Sequence, residues 1–210
     1  MCLHTCGATF VRNHRRNTLQ HLARYYASSI GTHYVVGFDG TIVAVVPEDY
    51  VAHGASVSLQ NEPGQDWRKL YPAAARHWQA AYGHRAFEPS GLYPGRNFNE
   101  TAIHIEFIPL RDWEGVTLPS LAEEIDVWGL SWYSDAQYQA GGLLAEDIAS
   151  RHGWKLSDDW FQECVLEHSA VSPITRSHSG GGWDPGVLRD SPRFDRNRMA
   201  FWVETLSQGK

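Results

Sequence analysis

The sequence has 210 residues, of which 42% are hydrophobic and 20% are charged, so it can bury a full core and fits one sizeable α/β domain better than two small ones. Its formal net charge is −6, with 18 basic and 24 acidic residues, so we expect no nucleic-acid partner because a phosphate backbone is bound by basic surfaces. No apolar run approaches the roughly 20 residues of a membrane-crossing helix, so we expect no membrane span.

The N-terminal segment contains neither the basic stretch nor the apolar stretch of a secretory signal. We therefore expect a protein that is cytoplasmic as synthesised and that leaves the cell only after lysis or by a non-classical export route. The cysteines, Cys2, Cys6 and Cys164, are odd in number, which argues against a closed disulfide framework and favours reduced thiols. Cys2 and Cys6 are near enough in sequence to reach each other or a metal.

The first third of the chain predicts a helix followed by a β-hairpin. Apolar side chains at helical spacing indicate a short helix over 18–28, with Asn17 or Thr18 as a possible N-cap. From 33 to 46, β-branched runs flank the pair Asp39-Gly40, and the glycine of such a pair accepts a positive φ. We expect two antiparallel strands there.

The middle of the chain changes in character. Residues 56–100 contain several prolines and glycines and a possible helix over 72–82, which is typical of a functional loop region; we interpret it as an insertion lining a groove. Residues 101–108 alternate around β-branched side chains and predict a short central strand. Its odd and even positions should face opposite sides of the sheet.

The last third predicts two helices and a strand. Ser134 should cap a helix that ends near His152, and the pair Gly141-Gly142 inside it should allow close packing. A short strand over 163–167 should lead into His168, and a final helix should cover 193–206. The fold class is therefore α/β, with a mixed central sheet flanked by helices.

Two histidines and a distant carboxylate suggest a metal site. His4 lies near the start of the chain, His168 follows the predicted strand, and Asp184 stands in the sequence Trp183-Asp184-Pro185-Gly186. Two imidazoles and one carboxylate, with a fourth position left to water, form the ligand set of a hydrolytic zinc site. The residue types thus predict a zinc hydrolase.

Motifs in a particular order extend this prediction over nearly the whole chain. They are His4-Thr5, residues 31–42, Val51-Ala52-His53-Gly54-Ala55, Ala102-Ile103-His104-Ile105-Glu106, and residues 168–173 with Asp184-Pro185-Gly186. Together they resemble the zinc-dependent N-acetylmuramoyl-L-alanine amidases, a superfamily that includes cell-wall recycling amidases, phage lysozyme-amidases and peptidoglycan recognition proteins. The resemblance implies one catalytic domain over 1–210 that cleaves the amide between N-acetylmuramic acid and L-alanine in peptidoglycan or muropeptides. We expect it to be a monomer.

The resemblance also assigns the metal ligands and a catalytic carboxylate. It implies zinc ligands at His4, His168 and Asp184, and a general acid/base at Glu106, which would move a proton from water to the leaving amine. The third ligand has an alternative, because the family's acidic ligand lies ten residues after the second histidine. In this sequence that position is His178, and the Asp-Pro-Gly motif follows a Gly-rich stretch.

Further site residues follow from the same resemblance. Arg176 stands where the family has a lysine, so Arg176 or His178 should stabilise the oxyanion. The residues expected to line the substrate groove are His33, His53 and Trp183. For His33 the alternative is a purely structural, hydrogen-bonded strand histidine, and Trp183 is included because apolar sugar faces stack on indole rings. His104 departs from the family, which carries glycine at that position.

Two other functions remain open for such a chain. The first is a peptidoglycan recognition domain that binds without turnover, and the second is a zinc peptidase that cuts within the stem peptide. A complete candidate ligand set favours an enzyme over the binding domain. The sequence leaves open whether the substrate is intact sacculus or a soluble or anhydro-muropeptide, and whether the role is that of a phage endolysin, a recycling enzyme or an exported effector.

Overall fold

The computed structural model describes residues 1–5, 19–54, 98–108, 133–154, 165–168 and 194–207. The elements in these ranges are β1 (Cys2–Thr5), α1 (Leu19–Ser29), β2 (Tyr34–Val36), β3 (Ile42–Ala44), a 3-10 helix (Phe98–Glu100), β4 (His104–Phe107), α2 (Asp135–Arg151), β5 (Leu166–Glu167) and α3 (Arg196–Ser207). The predicted N-caps of the first helix, the possible helix over 72–82 and nearly all of the loop-rich region 56–100 lie outside the described residues. None of the helices in the described ranges is long and apolar enough to cross a membrane.

The strands form one mixed sheet, as predicted for the fold class. Its order is β3-β2-β4-β1-β5, and only the pairing of β2 with β3 is antiparallel. The strand predicted over 101–108 is β4, which lies in the middle of the sheet and is buried along its whole length. Burial on both faces is typical of parallel strands covered by helices.

The hairpin of β2 and β3 is confirmed. The backbone N–H of Thr41 donates to the Asp39 carboxylate at 3.0 Å, and Gly40 has a φ of 84°. Because side chains with a Cβ are disfavoured at such a φ, glycine at this position lets the chain reverse between the two strands.

Helix α2 begins with the predicted Ser134 cap. The Ser134 hydroxyl accepts from the backbone N–H of Gln137 at 3.1 Å, and the Gln137 side-chain oxygen accepts from the backbone N–H of Ser134 at 3.2 Å. The Gln137 amide also donates to the carbonyls of Val36 at 3.3 Å and Ile108 at 2.8 Å. The cap therefore also fixes the start of α2 against the ends of β2 and β4.

Helices α2 and α3 cover one face of the sheet and form the larger core with it. A Cβ at Gly141 would lie 2.9 Å from the Phe107 ring, and one at Gly142 would lie 3.1 Å from the Met199 carbonyl oxygen. The close packing predicted for this glycine pair is confirmed. The buried side chains of this core include Leu3, Val36, Ile105, Phe107, Tyr133, Tyr138, Leu144, Ile148, Phe194, Met199 and Val203.

The C-terminal end of α2 is tied to the hairpin by Glu48. Its carboxylate accepts from Arg151 and His152, each at 2.7 Å, and from the Tyr34 hydroxyl. Burial alone raises the pKa of the Glu48 carboxyl, but the hydrogen bonds from Arg151, Tyr34 and His152 outweigh burial and lower the pKa to about 2. Burial and the neighbouring Glu48 raise the pKa of Tyr34 to about 12.

Helix α1 covers only part of the opposite face. Leu22 and Tyr26 of α1 pack on Val35 and Ile108 in a second, smaller core. The helix ends with Ile30 at a φ of 51°, and the N–H of Gly31 donates back to the Tyr26 carbonyl at 3.0 Å. This is the hydrogen bond of a Schellman ending, in which the left-handed position is usually glycine. The same face of β1 and β4 carries the polar side chains described next.

Candidate functional site

A row of buried imidazoles crosses the sheet on the α1 face. His4 lies on β1 and His104 on β4, while His33 directly precedes β2 and His168 directly follows β5. Because the sheet order is β2-β4-β1-β5, the rings lie in the spatial order His33, His104, His4 and His168, and we call this set the histidine row. None of these residues is more than 1% exposed.

Ring nitrogens connect three members of the histidine row. His4 Nδ1 lies 3.1 Å from His168 Nδ1, and His4 Nε2 lies 2.8 Å from His104 Nδ1. The structure therefore brings the predicted ligands His4 and His168 together, although they are 164 residues apart. Their role as metal ligands stays a prediction.

His33 is held by two hydrogen bonds that fix its proton. Its Nδ1 accepts from the backbone N–H of His104 at 2.9 Å, so its Nε2 carries the hydrogen that is donated to the Tyr50 carbonyl at 3.0 Å. Burial lowers the pKa of His33, and the Tyr50 carbonyl and the Glu48 charge offset this only in part. His33 is therefore a neutral imidazole whose two nitrogens both bind the protein. Its predicted contact with substrate stays a prediction.

His104, which stands where the family carries glycine, is a buried member of the histidine row. Its ring lies parallel to that of His33, with 5.8 Å between ring centres and 4° between ring planes. Burial, and then the positive charges that His4, His33 and His168 would carry, lower the pKa of His104 far below the ordinary value. His104 is therefore a neutral ring with a single ring hydrogen.

Gly54, at the end of the segment 51–54, lies against the His104 ring. A Cβ at Gly54 would lie 2.7 Å from His104 Nδ1 and 2.8 Å from the Gly31 carbonyl oxygen, so the backbone approaches the imidazole closely. The N–H of His53 donates to the Ile30 carbonyl at 2.7 Å, which anchors this segment. The side chain of His53 is exposed beside the row, and its predicted substrate contact stays a prediction.

Glu106 lies on the same face, next to His4. The two residues are register partners in the parallel pairing of β1 with β4, and Glu106 is two residues after His104, so alternation places all three side chains on one face. The Glu106 carboxyl group is buried. A carboxylate is therefore present at the position predicted for a general acid/base, and that role stays a prediction.

Among the residues that the structure describes, two sets of atoms could hold a metal ion. In the first, His4 Nδ1 and His168 Nδ1 are 3.1 Å apart, close to the roughly 3.3 Å between two nitrogens bound to one tetrahedral zinc. In the second, ligand atoms of Cys2, His4 and His104 all lie within 4.8 Å of one another. Cys2 is buried and has a free thiol. Both sets contain His4, and their donors, imidazole nitrogen and cysteine sulfur, are of the types that bind zinc.

The prediction from sequence did not include His104 in the site. The available signal was its position two residues before Glu106 on a strand, which already required both side chains to share a face. The remaining predicted residues lie outside the described part of the chain, so their roles stay predictions: Arg176, His178, Trp183 and Asp184.

The fold and this face of the sheet define an α/β protein with buried side chains of the kinds that bind metal. Comparison with protein families then identifies it: the family model described as N-acetylmuramoyl-L-alanine amidase matches residues 1–187. The chain belongs to the N-acetylmuramoyl-L-alanine amidase family, as its motifs predicted. Comparison with curated proteins and with solved structures gives no significant match. The family supports an amidase-type hydrolase that acts on peptidoglycan.

Proposed function

We propose that this protein is a zinc-dependent amidase that hydrolyses the bond between the lactyl group of N-acetylmuramic acid and L-alanine of the stem peptide. One observation carries the proposal beyond family membership. The Nδ1 atoms of His4 and His168 face each other at 3.1 Å in the interior of the protein, although the residues come from distant parts of the chain. This separation is close to the roughly 3.3 Å between two nitrogens bound to one tetrahedral zinc, so a small movement would let both bind one ion.

His4 and His168 would hold the ion together with a third ligand from the segment that follows His168, for which Asp184 is favoured over His178. When bound, zinc supplies Lewis acidity, which polarises an amide carbonyl and makes water a better nucleophile at neutral pH. The protein must present its histidines with a lone pair directed at the ion, and burial supports this because it disfavours charged imidazoles.

Glu106 is proposed to move the proton during hydrolysis. Glu106 is the register partner of His4, so its carboxylate would be near a water that attacks at an ion held by His4. It would accept a proton from that water and donate it to the departing nitrogen of L-alanine, which must leave as an amine. Arg176 or His178 would stabilise the negative charge that develops on the carbonyl oxygen.

The substrate should lie along the α1 face of the sheet. His53 is exposed beside the histidine row, so it can contact a glycan or peptide without moving the row. We propose Trp183 as a second contact, because apolar faces of sugars stack on indole rings. His33 would act mainly by keeping the row in place, since both of its ring nitrogens already bind the protein.

Digestion of purified peptidoglycan followed by mass analysis tests the proposal. The expected products are stem peptides with a free L-alanine amino terminus and glycan strands without peptide, and their release should stop in chelator and resume with zinc. Shorter peptides would instead indicate a peptidase, and binding without products a recognition domain. His168→Ala serves as the matched variant: it should lose both zinc and products.

The third ligand is decided by metal analysis of two variants. Asp184→Ala should yield protein without zinc, whereas His178→Ala should retain the ion and lose turnover only if His178 stabilises the oxyanion. The reverse pattern of zinc contents would assign the third ligand to His178.

A further inference from the structure

His4 is engaged through both of its ring nitrogens. Nδ1 faces His168 and Nε2 faces His104. We propose that His104 is a positioning residue: its Nδ1 accepts a hydrogen bond from His4 Nε2–H and so holds His4 in the tautomer whose Nδ1 lone pair is directed at the ion shared with His168. This inference rests on the proposed zinc site, and it adds a residue that the family pattern does not contain.

The single ring hydrogen of a neutral imidazole supports this assignment. A neutral imidazole has one N–H, so a histidine that binds metal through Nδ1 carries its hydrogen on Nε2. In His4 that nitrogen lies 2.8 Å from His104 Nδ1, a normal hydrogen-bond distance. His104 must then accept through Nδ1 and carry its own hydrogen on Nε2. Ligand histidines generally donate their second N–H to such an acceptor, which fixes the ring.

The acceptor is itself held rigidly. The backbone N–H of His104 donates to His33 Nδ1 at 2.9 Å, and its carbonyl accepts from the Thr32 hydroxyl at 2.9 Å. Its ring lies parallel to His33 on one side, and Gly54 leaves no room for a Cβ beside Nδ1. An acceptor fixed in this way lets His4 keep one ring orientation before any ion arrives.

The alternative is an ion bound by Cys2, His4 and His104, whose ligand atoms all lie within 4.8 Å of one another. Two nitrogens on one tetrahedral zinc are about 3.3 Å apart, and the distance of 2.8 Å between His4 Nε2 and His104 Nδ1 is shorter than that. The distance to His168 Nδ1, 3.1 Å, agrees better with a shared ion. These two distances favour a hydrogen bond to His104 and a metal bond at His4 Nδ1, so the proposal does not include Cys2 among the ligands.

Zinc affinity of full-length variants tests the inference without using activity. His104→Leu removes the acceptor and should weaken zinc binding in chelator competition by about 10- to 100-fold, the usual effect of losing such a partner. His104→Asn carries an oxygen near the position of Nδ1 and should retain most of the affinity. Cys2→Ala should bind zinc as the unsubstituted protein does. Equal affinities for His104→Leu and the unsubstituted protein would overturn the role of His104.

Two spectroscopic measurements on the unsubstituted protein remain decisive if a variant fails to fold. Nitrogen-15 shifts of the zinc-loaded protein should show His4 with its hydrogen on Nε2; a hydrogen on Nδ1 would overturn the proposal. Cobalt in place of zinc should give no thiolate charge-transfer band in the near ultraviolet. A band that Cys2→Ala abolishes would place the ion at the Cys2 side instead.

These outcomes separate this inference from the proposed function. If the zinc affinities follow the expected order but no stem peptides are released, the amidase proposal fails and the role of His104 stands. If stem peptides are released but His104→Leu binds zinc normally, the amidase proposal stands and the role of His104 fails. A protein that binds no zinc would overturn both.

Discussion

The two faces of the central strands differ sharply, although they share the same backbone. On the α2 and α3 face, Leu3, Ile105 and Phe107 are apolar and belong to the main core. On the α1 face, the alternate residues of the same strands are His4, His104 and Glu106. Burying polar groups is unfavourable unless they are hydrogen-bonded, so the first face stabilises the sheet and the second exploits that stability to fix ring positions. Substitutions of neighbouring residues on β4 should therefore affect different properties: stability on the apolar face and activity on the polar face.

The largest expected effect lies on the apolar face. Phe107 contacts the rings of Tyr133 and Phe194 and lies against Gly141, so Phe107→Ala leaves a cavity that neighbouring groups cannot fill. The free energy of unfolding should fall by about 3–5 kcal/mol, as measured by urea denaturation. A loss below about 1 kcal/mol would show that the two faces do not divide their roles in this way.

The next effect lies one residue away, on the polar face. Glu106→Gln keeps the size of the side chain but removes its ability to take up a proton, so release of stem peptides should slow by about 100-fold or more. Zinc content should stay the same, because the proposed histidine ligands are untouched. An unchanged rate of release would remove Glu106 from the mechanism.

A smaller effect, on the pH dependence of stability, is expected at Glu48, which binds Arg151 and His152 at the C-terminal end of α2. The pKa of Glu48 is lowered from 4.5 to about 2 in the folded protein, so the unfolded chain takes up a proton on this residue before the folded protein does. The stabilisation is therefore complete above about pH 4.5 and is lost as the pH falls towards 2. Denaturant midpoints should fall more steeply across this window in the unsubstituted protein than in Glu48→Gln.

Asp147 provides the matched control for Glu48. It contacts the same Arg151 at 2.9 Å but is 61% exposed, and exposed ion pairs contribute only about 0–1 kcal/mol. Asp147→Asn should therefore leave the pH profile nearly unchanged. Equal effects of the two substitutions would show that Glu48 gains nothing from its additional partners.

The smallest effect should be a gain in stability on the polar face. Ile30 has a φ of 51° and is 45% exposed, so Ile30→Gly relieves an unfavourable conformation and exposes little more apolar surface. Allowing for the greater freedom of glycine in the unfolded chain, we expect about 0.5–1 kcal/mol of stabilisation in urea denaturation. Ile42→Gly, the same change at an exposed position of β3, should destabilise. A loss at both positions would contradict the strain at Ile30.

The elements that the sequence predicted well have local signals. Asp39-Gly40 specifies a hairpin, and Ser134 with Gln137 specifies the start of α2, because each motif forms its hydrogen bonds within a few residues. The predicted final helix, over 193–206, is α3, although α3 begins at Arg196. Boundaries of this kind depend on tertiary contacts that the sequence does not display.

The arrangement of the site was predicted only in part. The meeting of His4 with His168 followed from the family resemblance, since no local pattern connects residues 164 positions apart. The contact of His104 with His4 depends on the parallel register of β1 with β4, in which His4 pairs with Glu106. Parallel strands joined by long connections have no turn that fixes their register, so this contact became visible only in three dimensions.

The histidine row can form only after the strands of the sheet have paired. His4 and His104 lie on strands, and His33 and His168 lie directly beside two others. These four strands are distant in sequence, and none of the adjacent histidine pairs can form until its two strands have paired. Contacts of such high sequence separation form slowly, after much chain entropy has been lost. Binding of the proposed zinc ion should thus be a late event in maturation, and uptake of zinc by nascent or refolding chains would report that assembly of the sheet is complete.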